Sequence, residues 1–190
     1  MMKKRLIWAG LITLVAFPLV GWAILQFFRE DPIAIMLRGS MPVGLQIIFG
    51  LVVGWIFGLI AKWVVKRPFM QPIEDKYAQL IKGLQLKPVS IILLSFCAGF
   101  GEELLFRGAL QPLMGLWTTA IVFVAIHGYL NPWDWRMSAY GITMTLLIAC
   151  LGLMTEVWGI FSACAAHMAI DIVLFNYLTE RSKTLNYPDI

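Results

Sequence analysis

The chain of 190 residues is 60% hydrophobic and only 14% charged, against roughly 25% charged in soluble domains. That balance excludes an ordinary soluble globule, and the length suits one bundle of membrane helices better than two domains. The net charge of +4 comes with no basic patch interleaved with aromatic residues, which argues against nucleic acid as a partner.

Lys3, Lys4 and Arg5 precede a charge-free apolar run over residues 6–28. A signal peptide has this outline, but the run is too long for one and lacks a convincing small-x-small cleavage site. The pattern predicts a retained first transmembrane helix, bent at Pro18. Residues 29–40 form a short polar link. Residues 41–65 are the second span, and Gly50-x-x-x-Gly54-x-x-x-Gly58 puts three glycines on one of its faces. Such a face suits close helix packing within the bundle or self-association of two copies, and both uses are open.

The longest polar stretch covers residues 66–87. Within it, residues 74–86 place Tyr77, Leu80, Ile81 and Leu84 at helical spacing. An amphipathic helix on the membrane surface fits this pattern, as does a charged connecting loop. Residues 88–110 are the third span and residues 112–130 the fourth. Residues 131–136 form a turn whose tryptophans suit the interface. Residues 137–155 and 160–178 are the fifth and sixth spans, joined by a tight connection over 156–159, and a frayed polar tail follows from 179. Cys97, Cys150 and Cys164 all fall inside apolar segments and suggest neither a disulfide framework nor a zinc motif. They read as packing residues.

The expectation is therefore an all-α polytopic bundle: one domain over residues 1–190, about six transmembrane helices and a motif-bearing core over 88–178. Basic residues gather at the amino terminus, across residues 62–87 and at Arg181 and Lys183. By the positive-inside rule both termini are expected on the cytoplasmic side. The lipid bilayer is the first partner this composition requires.

The third span carries Glu102, Glu103 and Arg107, although a charge in the hydrocarbon core costs a few kcal/mol even on lenient scales. Glu103 and Arg107 are i and i+4 and can pair, whereas Glu102 points about 100° away and is left freer to act. The chain has two histidines, His127 and His167, each in an apolar segment, and Asp171 shares a helical face with His167. At about 1.5 Å per residue, the two histidines and Glu102 reach one depth if the fourth span starts late, nearer Trp117, or if helices tilt. A carboxylate with two imidazoles can activate water by general-base chemistry and stabilise an oxyanion. Glu102, His127, His167 and Asp171 are also candidates to bind one divalent metal, most simply zinc, though the His-Glu-x-x-His signature is absent.

Gly101-Glu102-Glu103-Leu104-Leu105-Phe106-Arg107-Gly108, then Phe123-x-x-x-His127, then His167-x-x-x-Asp171 occur in this order within hydrophobic helices. The set resembles the CAAX protease and bacteriocin-processing (CPBP, or Abi) family across residues 102–171. The resemblance implies an α-helical intramembrane endopeptidase acting on a peptide or membrane-protein substrate. In it Glu102 is the water-activating glutamate, Glu103 and Arg107 the adjoining pair, and His127 and His167 the catalytic histidines. The position of Asp171 is often Asn in that family, placed to help stabilise the oxyanion. An anion there would repel an oxyanion, so Asp171 should be protonated, orient His167 or ligate metal. The family has been described both as metalloproteases and as metal-independent glutamate proteases, and both remain open here. Its eukaryotic members cut prenylated CAAX proteins; bacterial members include peptide-processing enzymes and bacteriocin self-immunity proteins. The short loops suit a bacterial inner membrane. Two rival readings use the same residues differently: a proton or metal-ion transporter with an ionisable relay, and a non-enzymatic immunity or scaffold protein.

Overall fold

The structure, a computed structural model, describes residues 2–185, with side chains from residue 4 onward. Among them there is no strand, only one isolated bridge between Gly39 and Gly159. Helix α1 (Met2–Gln26) contains Pro18, and the polar link after it folds into a short helix, α2 (Pro32–Met36), capped by the Asp31 carboxylate on the Ala34 amide. Helix α3 (Val43–Val65) follows, then α4 (Gln71–Leu84) and α5 (Pro88–Glu103). The chain then widens into a π-helical stretch (Leu104–Leu110) and closes with α6 (Gln111–Met114). Helices α7 (Leu116–Ile126), α8 (Trp135–Val157) and α9 (Ile160–Thr184) complete the bundle.

Five helical stretches are long and apolar enough to cross a membrane: Lys4–Gln26, Val43–Val65, Pro88–Met114, Trp135–Val157 and Ile160–Thr184. Together with the large apolar side chains exposed along them, such as Trp55, Leu59 and Trp63 on α3, they make this an integral membrane protein. The fourth expected span is shorter than its apolar run. Gly115 adopts φ +82, a conformation that glycine tolerates best, so the third span ends at Met114 and α7 begins only at Leu116. Helix α7 stops at Ile126 because the chain turns at Gly128, φ +76.

Helix α9 is the hub, touching α3, α4, α5 and α8. Its run of small residues, Ser162 to Ala166, makes this possible. Gly50 and Gly54 lie on the backbone of Ser162 and Ala166, and Gly58 on the side chain of Val173. The glycine face of α3 is thus filled from within the chain, and packing inside the bundle is the use of Gly50, Gly54 and Gly58 seen here. On the other side Gly99 of α5 meets the backbone of Cys164 and Met168. Without a hydrophobic drive between helices in lipid, backbone approach of this kind supplies the packing energy. The three cysteines are free, and Cys97 and Cys164 are fully buried among these contacts.

Two further expectations are revised. The segment 74–86 is helical as far as Leu84, but its inward face is Glu74, Ala78, Ile81 and Leu84, while Leu80 is exposed. Glu74 can face inward because it receives the Tyr177 hydroxyl and lies 3.2 Å from Arg181. The tail is not frayed from 179. Arg181 bonds Asp75 at 2.7 Å, which holds α9 against α4 as far as Thr184, and only residues 186–190 of that tail lie outside the described residues.

Candidate active site

Three elements bring the charged residues together: the end of α5, the end of α7 and the middle of α9. Glu103 is fully buried and divides its carboxylate between two partners. Oε2 lies 3.1 Å from Nε of Arg107, one helical turn on, and Oε1 accepts Nδ1–H of His167 at 2.8 Å. Arg107 is 1% exposed. Its Nη2 donates to the Ile148 carbonyl at 3.3 Å, and its guanidinium sits 4.7 Å from the ring centre of Phe123. This is a closed internal ion pair, in which Nη1 of Arg107 and Oε2 of Glu103 make no hydrogen bond among the described residues, so the mutual attraction of the two charges is the main offset to the cost of burial.

Glu102 points the other way, as the 100° step between neighbours requires. Its Oε2 is 3.4 Å from Nε2 of His127, long for a hydrogen bond, and that oxygen has no hydrogen-bond partner among the described residues. His127 closes α7, and its Nδ1 is engaged by the Phe123 carbonyl at 2.7 Å. Both imidazoles therefore spend Nδ1 on the protein and keep Nε2 for the cavity. Nε2 of His167 is 3.8 Å from Asp171 Oδ2, beyond hydrogen-bonding reach. Three carboxylates against one guanidinium leave two negative charges, so two protons shared among Glu102, His127, His167 and Asp171 make the cluster neutral.

Glu102, His127, His167 and Asp171 line one cavity of about 330 Å³. A second, more apolar chamber of about 290 Å³ lies beneath α4, and Tyr129, Tyr140 and Asp171 line both. Tyr77 of α4 faces this second chamber, and burial pushes its phenol above the usual range. On the far side of the site, Arg38 in the loop after α2 donates to the backbone carbonyl of Arg107 at 3.0 Å. Burial draws the Arg38 guanidinium down, and Glu156 opposes the effect. Gln111 binds Glu156 at 2.8 Å and the Gly152 carbonyl at 3.1 Å, fixing the end of the π-helical stretch to α8.

All six residues singled out in the sequence meet here, Glu102, His127, His167 and Asp171 on the cavity wall and Glu103 with Arg107 behind it. Phe123 is the part that sequence reasoning undervalued. Its ring stacks on His127 at 4.4 Å, meets His167 edge-on at 5.7 Å and Phe106 edge-on at 4.9 Å. One aromatic ring thus spaces both imidazoles and the cation. Its four-residue spacing from His127 was the available signal. Among the described residues no three His, Cys, Asp or Glu side chains are grouped to hold one ion.

Comparison with known proteins points to the same part of the chain. Residues 84–173 match the family model described as type II CAAX prenyl endopeptidase Rce1-like. Over 85 residues the chain is 42% identical to the uncharacterized protein YpbD of Bacillus subtilis (strain 168), an overlap covering 44% of this chain and 42% of that protein. No solved structure matches significantly. Every residue of the cluster lies between positions 84 and 173, the segment that is similar to this family of CAAX-type membrane proteases.

Proposed function

We propose that the chain is an intramembrane endopeptidase of the glutamate type, in which Glu102 activates water for attack on a peptide carbonyl. The observation that carries this reading is the Glu102 carboxylate, 16% exposed on the cavity wall with no guanidinium against it and with its Oε2 3.4 Å from Nε2 of His127. A water on the cavity side of that pair can bond to both groups. Glu102 takes one proton as the water oxygen attacks the carbonyl carbon. His167, held by Glu103 through Nδ1, offers Nε2 in its protonated form to the developing oxyanion. Glu102 then returns the proton to the leaving nitrogen as the C–N bond breaks. Glu103 and Arg107 act behind this site as a rigid support.

The substrate class is a peptide or a membrane protein, with a prenylated CAAX protein and a bacteriocin-type peptide as the two forms the family resemblance offers; nucleic acid has no place in the scheme. The setting is a bacterial inner membrane with both termini cytoplasmic. The contact of Arg181 with Asp75 supports this, since it puts the end of α9 on the same side as α4 and its flanking basic residues. Substrate-trapping proteomics that compares the natural chain with Glu102→Ala in cells tests the reading. Peptides should accumulate uncut on the variant, and identical peptide profiles would overturn it.

A further inference from the structure

Tyr140 is 6% exposed, yet its hydroxyl makes no hydrogen bond among the described residues, and the same is true of the Tyr129 hydroxyl. Neither hydroxyl is a sealed atom without a partner, so both touch open space, where a ligand can supply the missing hydrogen bond. Neither residue is idle packing at the periphery. The rings meet edge to face at 5.2 Å, and that of Tyr129 stacks at 6.0 Å from His127. Both tyrosines line the Glu102 cavity and the apolar chamber under α4, so they stand at the passage between the two. Asp171 lines both chambers at the same place.

The geometry points to a backbone clamp: the Tyr140 and Tyr129 hydroxyls donate hydrogen bonds to a carbonyl oxygen of the substrate main chain where it passes from the apolar chamber into the Glu102 cavity. A phenol is a donor that stays neutral, so it can hold a carbonyl in an apolar passage without bringing another charge into the cluster. Asp171 alone cannot do this in its ionised form, because a carboxylate only accepts. The ligand class is an extended peptide, bound through its backbone at this point and through apolar groups beyond it. Tyr129 and Tyr140 are positioning residues for the reaction proposed above, and the inference rests on that reading.

The test separates binding from cleavage. A fluorescein-labelled prenylated CAAX peptide is titrated against full-length Glu102→Gln protein in detergent micelles, with and without Tyr140→Phe or Tyr129→Phe. Each substitution removes one oxygen and leaves the ring, so thermal melting should be unchanged while Kd rises by about three- to tenfold. Peptides with a single backbone carbonyl reduced to methylene then locate the contact: at one position the Phe variants should bind no more weakly than their parent. Unchanged Kd in both Phe variants overturns the clamp and leaves the peptidase reading standing. Weaker binding that persists with every reduced carbonyl also overturns it, since the effect is then structural. A parent protein that binds neither this peptide nor a labelled bacteriocin-type peptide overturns the peptidase reading and the clamp together.

Discussion

His167 donates its Nδ1 proton to Glu103 at 2.8 Å, so the carboxylate that neutralises Arg107 also aims the imidazole 64 positions further along the chain. One buried group serves stability and geometry at once. Glu103→Ala leaves a guanidinium buried without its counter-ion, and a loss of about 3–5 kcal/mol is expected, read as a lowered melting temperature and poor yield in detergent. Glu103→Gln keeps the volume and can still accept from His167, but Arg107 loses its counter-charge. It should fold better than the Ala variant and remain well below the natural chain in turnover.

Glu102 behaves differently. It is 16% exposed, faces the cavity and neutralises no buried cation by direct contact. Glu102→Ala is expected to melt like the natural protein and to lose peptide cleavage by about 10²-fold or more, the usual scale for a missing general base. Equal destabilisation of Glu102→Ala and Glu103→Ala would show that the two roles are not separate.

The helical pairs were legible in the sequence because spacing alone decides them: Glu103 with Arg107 and His167 with Asp171 are each four residues apart. The late start of α7, which brings His127 to the level of Glu102, needed a break that Gly115 supplies. Sequence could pose that condition but could not decide it, since glycines in apolar helices are equally common as packing residues. The link from Glu103 to His167 was out of reach. It depends on α9 lying against α5, which follows from small residues on both helices rather than from any motif. The π-helical widening after Glu103 likewise left no local signal.

Activity should survive prolonged incubation with a strong chelator, and protein purified without added metal should hold far less than one zinc per chain by elemental analysis. The grouping of the side chains supports this outcome, because among the described residues no three His, Cys, Asp or Glu side chains converge. One zinc per chain, lost together in His127→Ala and His167→Ala, would assign the reaction to metal-activated water instead.

Asp171 lies 3.8 Å from Nε2 of His167, too far to fix its tautomer, and Glu103 already does so from the other nitrogen. Asp171→Asn should therefore retain most activity, with the amide serving as a donor beside the oxyanion. A folded but inactive Asp171→Asn protein would show that the negative charge itself is required.

Gly54→Ala tests the seam that carries the site. A β-carbon there would run into the backbone of Ala166, one residue before His167, and the backbone cannot yield as a side-chain end can. Destabilisation toward the upper end of about 1–3 kcal/mol is expected, with a loss of activity to match. Gly44→Ala meets open space and serves as the control. If both variants melt alike, close approach at Gly54 is not what holds α3 to α9.

The shortness of α7 bears on how water arrives. Eleven residues rise only about 16 Å, roughly half the hydrocarbon thickness, and the chain between Ile126 and Trp135 is not helical. Tyr129 lies against Gly141, nearly two turns inside α8, so this irregular stretch dips below the start of its neighbour. Irregular backbone at such depth persists only where protein buries it or an aqueous cavity wets it. Trp133, 91% exposed, stands at the outer end of that stretch and would seat in the headgroup layer. A bilayer thinned beside His127 would make hydration of the cavity a property of the lipid as much as of the protein. Membranes with longer acyl chains would press against that dip, whereas thinner ones would leave it open.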